Sequence, residues 1–230
     1  MNANPIFCAL DTTDADAALR LAGALKGVVG GIKLGLEFFV ANGPEGVRQV
    51  AAGQPLFLDL KLHDIPNTVA GAVRAIVPLG VTMTTIHASG GAAMMKAAAD
   101  AAAEAGPSRP SLLGVTILTS LDQESLPSIG FDGPVSDAVK RLAALAQQSG
   151  LDGAVCSPHE VASLRAQCGP KFKLVVPGIR PAGAAADDQR RVMTPKEALA
   201  AGADVLVIGR PITGAANPAT AARAIVAELR

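Results

Sequence analysis

Phe57-Leu58-Asp59-Leu60-Lys61-Leu62-His63-Asp64-Ile65-Pro66-Asn67-Thr68 begins as a buried strand and then sets Asp, Lys and Asp within six residues. Successive side chains on a strand point to opposite faces, so Asp59 and Lys61 share one face and Leu60 and Leu62 the other. Two opposite charges on the inward face of an apolar strand are costly to bury unless each has a partner or a task. An ordinary buried ion pair is one reading. Against it, His63 and Asp64 follow at once and Pro66 halts the strand. The charges therefore stand at the strand's carboxyl end, where parallel α/β enzymes hold their chemistry.

Outward from this segment, short β-type runs alternate with Ala-rich helical stretches along the whole chain. Strands are expected at residues 6–11, 31–35, 56–61, 83–88, 112–118, 153–157, 173–177 and 205–209. Helices are expected at 14–26, 37–51, 67–77, 91–105, 135–148, 159–167, 195–201 and 218–229. Asp14, Ser157, and Thr194 before Pro195 are plausible caps. Eight strands each followed by a helix is the count of an α/β (β/α)₈ TIM barrel, read here as a single domain over residues 1–230. A doubly wound open sheet is the rival, but the first strand ends in Asp11-Thr12-Thr13-Asp14 with no GxGxxG loop. Two connections, 119–134 and 180–192, are long enough to act as lids.

The polar residues at the strand ends form a pattern. Strand one supplies Asp11, strand two Lys33, and strand three Asp59 and Lys61. These strands are neighbours in a barrel, so the four charges converge with alternating sign, which packing alone does not explain. His87 at the end of strand four reads as a core histidine, and His63 faces the same choice. Lysines fill the space that a carboxylate–histidine metal cluster would need, so no metal site is expected. Pro177-Gly178-Ile179-Arg180 follows strand seven, and Ile208-Gly209-Arg210 follows strand eight. Loops after these two strands commonly bind phosphate, and arginine adds a bidentate clamp.

Composition narrows the class further. Lys plus Arg equals Asp plus Glu at 20 each, so no charge imbalance draws the chain to nucleic acid or an acidic membrane. Six Phe with no Trp or Tyr leave few platforms for stacking bases. Cys8, Cys156 and Cys168 are widely spaced and suggest reduced thiols. Met1-Asn2-Ala3-Asn4-Pro5 lacks the basic and apolar regions of a signal peptide, and no window approaches the ~20 apolar residues of a membrane span. A cytoplasmic location is expected.

These residues together resemble the orotidine 5′-phosphate decarboxylase family in its bacterial form. The similarity covers Ala9-Leu10-Asp11, Lys33-Leu34-Gly35, the Asp-x-Lys-x-x-Asp-Ile-Pro-Asn-Thr run from Asp59 to Thr68, residues 116–120, Pro177 to Arg180, Gln189, and Ile208 to Arg210. The resemblance implies conversion of orotidine 5′-phosphate to uridine 5′-phosphate and CO₂ without a cofactor, in a homodimer with shared active sites. It implies that Asp11 contacts the ribose and that Lys33 bridges the sugar and the charge network. Asp59 is placed against the substrate carboxylate, and Lys61 stabilises and protonates the carbon that loses CO₂. Asp64 completes the tetrad from the other subunit, with Thr68 near it. Thr119 or Ser120 contacts the pyrimidine, while Arg180, Gln189, Gly209 and Arg210 hold the phosphate.

The chemistry supports that set independently. Loss of CO₂ from C6 leaves an electron pair in the ring plane, out of reach of the π system. No residue pattern suggests pyridoxal phosphate, thiamine or a metal, so stabilisation falls to a preorganised cation, which Lys61 can be. Two alternatives remain open from sequence: a Mg²⁺-using sugar-phosphate decarboxylase or synthase on the same scaffold, and a catalytically dead phosphate-ligand binder.

Overall fold

Each apolar run becomes a parallel strand, because the helix after it must return the chain to the same end of the sheet before the next strand begins. The structure, a computed structural model, describes residues 4–181 and 193–229. Its first half runs β1 (Ile6–Ala9), α1 (Ala15–Leu25), β2 (Gly31–Gly35), α2 (Leu36–Ala51), β3 (Leu56–Leu62), α3 (Pro66–Ile76), β4 (Val81–His87) and α4 (Gly91–Ala103). The second half runs β5 (Ser111–Val115), α5 (Val135–Gln148), β6 (Gly153–Val155), α6 (Val161–Cys168), β7 (Lys173–Val176), α7 (Pro195–Ala201), β8 (Val205–Ile208), α8 (Arg210–Thr213) and α9 (Pro218–Ala227). The strands pair in chain order and β8 pairs with β1, closing the barrel expected from sequence.

Period-two patterning divides the apolar residues between two cores. Ile6, Cys8, Ile32, Leu34, Leu56 and Leu58 point outward and pack beneath the helices. Phe7, Phe57, Met83, Leu113, Val175 and Val207 point inward and fill the barrel. Full burial of one such side chain contributes about 1.5–3 kcal/mol, so a one-residue slip of any strand would expose several of them.

Two of the expected side-chain caps form, at Asp14 and Thr194, whereas the buried Ser157 hydroxyl has no partner among the described residues. Asp14 Oδ1 accepts the Ala17 N–H at 3.0 Å, and Thr194 and Glu197 close a capping box before α7. The Ser157 N–H donates to Glu160 Oε2 at 2.7 Å, at the turn that leads into α6. Pro66 is the first residue of α3, where its missing N–H goes unneeded. Gly43 (φ 61°) and Pro44 kink α2.

Several strands end earlier than expected. β1 stops at Ala9, β5 at Val115 and β6 at Val155. The residues after them, Asp11 and 116–120 among them, leave the ladder for the loops at the carboxyl ends of the strands. Of the two long connections, the first holds a 3-10 turn at Leu126–Ile129. Most of the second, residues 182–192, lies outside the described residues.

Candidate active site

The inward face of β2 shows how the sequence makes room for charge. Its inward residues are Gly31, Lys33 and Gly35, so the lysine stands between two glycines. A Cβ on Gly31 would meet the Phe7 ring at 2.3 Å, and one on Gly35 would come within 3.2 Å of Lys33 Nζ. Gly31 thus admits the inner core, and Gly35 admits the ammonium.

Four charges then form a chain across three strands. Lys33 Nζ lies 3.0 Å from Asp11 Oδ1 and 3.9 Å from Asp59 Oδ2, and Lys61 Nζ lies 2.8 Å from the same Asp59 oxygen. The Lys33 and Asp59 side chains are only 11% and 15% exposed, against 62% for Asp11. Coulomb attraction at these separations is worth roughly 6 kcal/mol per close pair at an effective dielectric of about 20. Desolvation removes several kcal/mol per buried ion. The balance is near even, so the cluster is a poor stability device and a sensible place to look for function.

β3 departs from a regular strand here. The β3–β4 register shifts between Leu58 and Leu62, and Lys61 has φ 52°, in the left-handed region that residues with a Cβ avoid. Sequence alternation put Asp59 and Lys61 on one face, and they do meet. It did not reveal the bulge. Thr85, on β4, was also missed: its hydroxyl donates to Asp59 Oδ1 at 2.9 Å and accepts the Lys61 N–H at 2.8 Å. An inward threonine two residues before His87 was the available signal.

The charged chain forms one wall of a cavity of about 260 Å³. Arg180, Gly209 and Arg210 line it beside β7 and β8, Asp11 and Lys33 beside β1 and β2, and Asp59 and Lys61 beside β3. Val115, Ile117, Leu118, Thr119 and Val155 supply the β5–β6 side. Arg180 is buried, its Nε has no acceptor, and no carboxylate pairs with it among the described residues. Among the described residues the guanidinium makes one hydrogen bond, from Nη1 to the Ile179 carbonyl, 3.5 Å long. A buried guanidinium left this way is suited to an incoming anion. Gly178, two residues earlier, has φ 76°, which favours glycine there.

The other expected site residues fall elsewhere. Ser120 is exposed and does not line the cavity, whereas Thr119 does. Asp64 and Thr68 are exposed and also stand outside the lining, and Asp64 Oδ1 accepts the Ile65 N–H. Gln189 lies outside the described residues.

The profile of the orotidine 5′-phosphate decarboxylase / HUMPS family matches residues 4–225. The chain belongs to this family. The orotidine 5′-phosphate decarboxylase of Paramagnetospirillum magneticum is 62% identical, with 98% of each chain covered. That of Rhodospirillum rubrum is 56% identical, over 100% of this chain and 95% of the relative. The crystal structure of the Lactobacillus acidophilus enzyme of that name superposes with a TM-score of 0.88 at 38% identity, over 99% of both chains. The enzyme of that name from Pyrococcus horikoshii, at 24% identity, shares the fold with a TM-score of 0.80.

His87, expected in the core, is half-buried at the end of β4 with its ring 5.4 Å from that of His63. Burial first, then the neighbouring His63 and Lys61, hold its pKa below the usual imidazole value. The strand end leaves it at the mouth, so it does not enter the core. All three cysteines are free and buried. Burial, with Asp11 second, pushes Cys8 up to about 12, and burial raises Cys156 as well, so neither is a nucleophile at neutral pH.

Proposed function

We propose that the chain decarboxylates orotidine 5′-phosphate to uridine 5′-phosphate and CO₂ without a cofactor, a step in pyrimidine nucleotide synthesis. The observation that carries the reading is Lys61 Nζ held on Asp59 in a partly apolar cavity whose other end holds a buried arginine with no carboxylate partner among the described residues. Around the mouth, the arginines of β7–β8, the Asp11–Lys33 pair of β1–β2 and the Lys61–Asp59 pair of β3 follow in order. A nucleotide has the same order of phosphate, sugar and base.

In this reading the phosphate meets Arg180, Gly209 and Arg210, with Gln189 from the adjoining loop. The ribose hydroxyls meet Asp11 and Lys33. The pyrimidine lies toward Thr119, or toward Ser120 if that loop closes. The C6–carboxylate bond breaks and CO₂ leaves, with the electron pair remaining in the ring plane at C6. The Lys61 ammonium opposes that developing charge and then delivers its proton to C6. Asp59 and Lys33 hold Lys61 in place before the substrate arrives, so little reorganisation is needed as charge develops.

Metal-using sugar-phosphate enzymes on this scaffold are the second reading. Against it, the Asp59 oxygen that a divalent cation would seek is already taken by ammonium. The two are separated by adding orotidine 5′-phosphate and following the loss of orotate absorbance. Turnover is expected to persist undiminished in EDTA, and a requirement for added Mg²⁺ would decide for the metal-using relatives. A cytoplasmic location goes with this substrate, and no helix among the described residues is long and apolar enough to cross a membrane.

The active unit in this proposal is a homodimer with shared sites. Leu36, Val40 and Ile65 are 54%, 76% and 66% exposed; the first two open α2 after β2, and Ile65 follows β3 next to Asp64 in the chain. A two-fold partner covering this apolar face would receive Asp64 and Thr68 into its own mouth and return the same residues. Lys61→Ala and Asp64→Asn are each expected to be nearly inactive. In a hybrid of the two, one site carries both lesions and the other carries neither. Random exchange makes about half the dimers hybrids, so about a quarter of wild-type activity should return. No recovery after demonstrated exchange would place Asp64 in its own subunit's site.

A further inference from the structure

The β3–β4 seam holds an irregularity that the roles of Lys61 and Asp59 do not by themselves explain. Leu58 pairs with Thr84 and Leu62 with Ile86, so Asp59, Leu60 and Lys61 together face the single residue Thr85. Three residues against one leave N–H groups without a backbone acceptor on the neighbouring strand. The Lys61 N–H donates instead to Thr85 Oγ1 at 2.8 Å. A hydroxyl has one proton to give, and this one goes to Asp59 Oδ1 at 2.9 Å.

We propose that Thr85 is a positioning residue for the decarboxylation, holding the Lys61 backbone and the Asp59 carboxylate in register through one hydroxyl. The proposal rests on the function read above. Asp59 then has both oxygens engaged, Oδ1 by Thr85 and Oδ2 by Lys61 Nζ. Without the hydroxyl, the carboxylate loses the donor that sets its rotation, and the left-handed Lys61 loses the bond that anchors its amide. Both changes move the ammonium relative to C6. Thr85 is fully buried, so solvent does not stand in for the lost group. The neighbouring Thr84 provides an internal control. It is just as buried, and its hydroxyl donates to the Leu58 carbonyl at 2.8 Å, with no hydrogen bond to a charged side chain among the described residues.

The test compares wild type, Thr85→Val, Thr85→Ser and Thr84→Val by kcat, KM, Tm and the exchange rate of the Lys61 amide proton. Thr85→Val should lower kcat about thirtyfold or more with KM changed less than about threefold, because the defect lies in transition-state geometry. Thr85→Ser should recover kcat to within about threefold of wild type, and Thr84→Val should keep it whatever its Tm. If Thr85→Val does not fold, Thr85→Cys, which weakens both hydrogen bonds at serine's size, takes its place. The proposal is overturned if the valine variant keeps kcat, if serine fails to rescue, or if Thr84→Val loses as much. Failure of wild type to act on orotidine 5′-phosphate would count against the functional reading alone. Positioning is then judged by the Lys61 amide, which should exchange at least about tenfold faster in Thr85→Val than in Thr84→Val. Equal exchange in the two variants would overturn it.

Discussion

Lys61→Ala is expected to lower kcat by a thousandfold or more, about 4 kcal/mol of barrier, while the protein stays folded and still binds nucleotide. On the proposed mechanism the variant removes both the cation facing C6 and the proton that replaces CO₂. The fold should survive because the Lys61 side chain is 34% exposed, and Asp59 keeps Lys33 at 3.9 Å and the Thr85 hydroxyl at 2.9 Å. Binding should survive because Arg180 and Arg210 follow β7 and β8, on different strands from the change. Steady-state kinetics and a binding isotherm for uridine 5′-phosphate check both halves. If more than about a tenth of kcat remains, less than ~1.4 kcal/mol rests on this residue and the assigned role is wrong.

Arg180→Ala is expected to lower kcat/KM for the nucleotide a hundredfold or more, and to change turnover of the phosphate-free nucleoside by less than about threefold. The stability outcome makes this prediction unusual. Truncating a large buried side chain normally destabilises a protein, but Arg180 is a charge 8% exposed, with no carboxylate partner among the described residues and an unsatisfied Nε. The folded protein bears the desolvation of that guanidinium while the site is empty, an effect of several kcal/mol that offsets the cavity left behind. The Tm of the ligand-free variant should therefore be unchanged or higher, and the stabilisation that uridine 5′-phosphate confers on wild type should largely disappear. An equal loss with nucleotide and nucleoside, or a sharp fall in ligand-free Tm, would make Arg180 a structural residue.

The charge chain was legible in the sequence because it follows from parity and strand order. Asp59 and Lys61 are two apart, and Asp11, Lys33 and Asp59 lie in or just after consecutive strands, so a barrel brings them together. Caps were legible for a similar reason: Asp14 and Thr194 act on residues within one turn of themselves. Strand ends were less so. The apolar run continues through Ile117 and Leu118, yet β5 stops at Val115, because a ladder lasts only as long as its neighbour does and β6 ends at Val155. His87 misled in the same way, since an apolar strand does not show where the barrel wall stops and the mouth begins.

The sequence by itself determined the alternation of eight strands and helices, the inward parity of Lys33, Asp59 and Lys61, and the two Gly–Arg loops that border the cavity. These depend on local periodicity and on residue chemistry, both of which are written along one dimension. Only the tertiary structure decided that three residues of β3 would face one of β4, that Lys61 would sit at positive φ, and that a single threonine hydroxyl would serve both Lys61 and Asp59. It also decided that Arg180 would be buried with no counter-ion among the described residues and that Asp64 would stay outside its own barrel's cavity. Register, bulge position and the pairing of buried charges are relations between strands distant in the chain. Their energies depend on what lies across the seam, and no pattern within one segment carries that information.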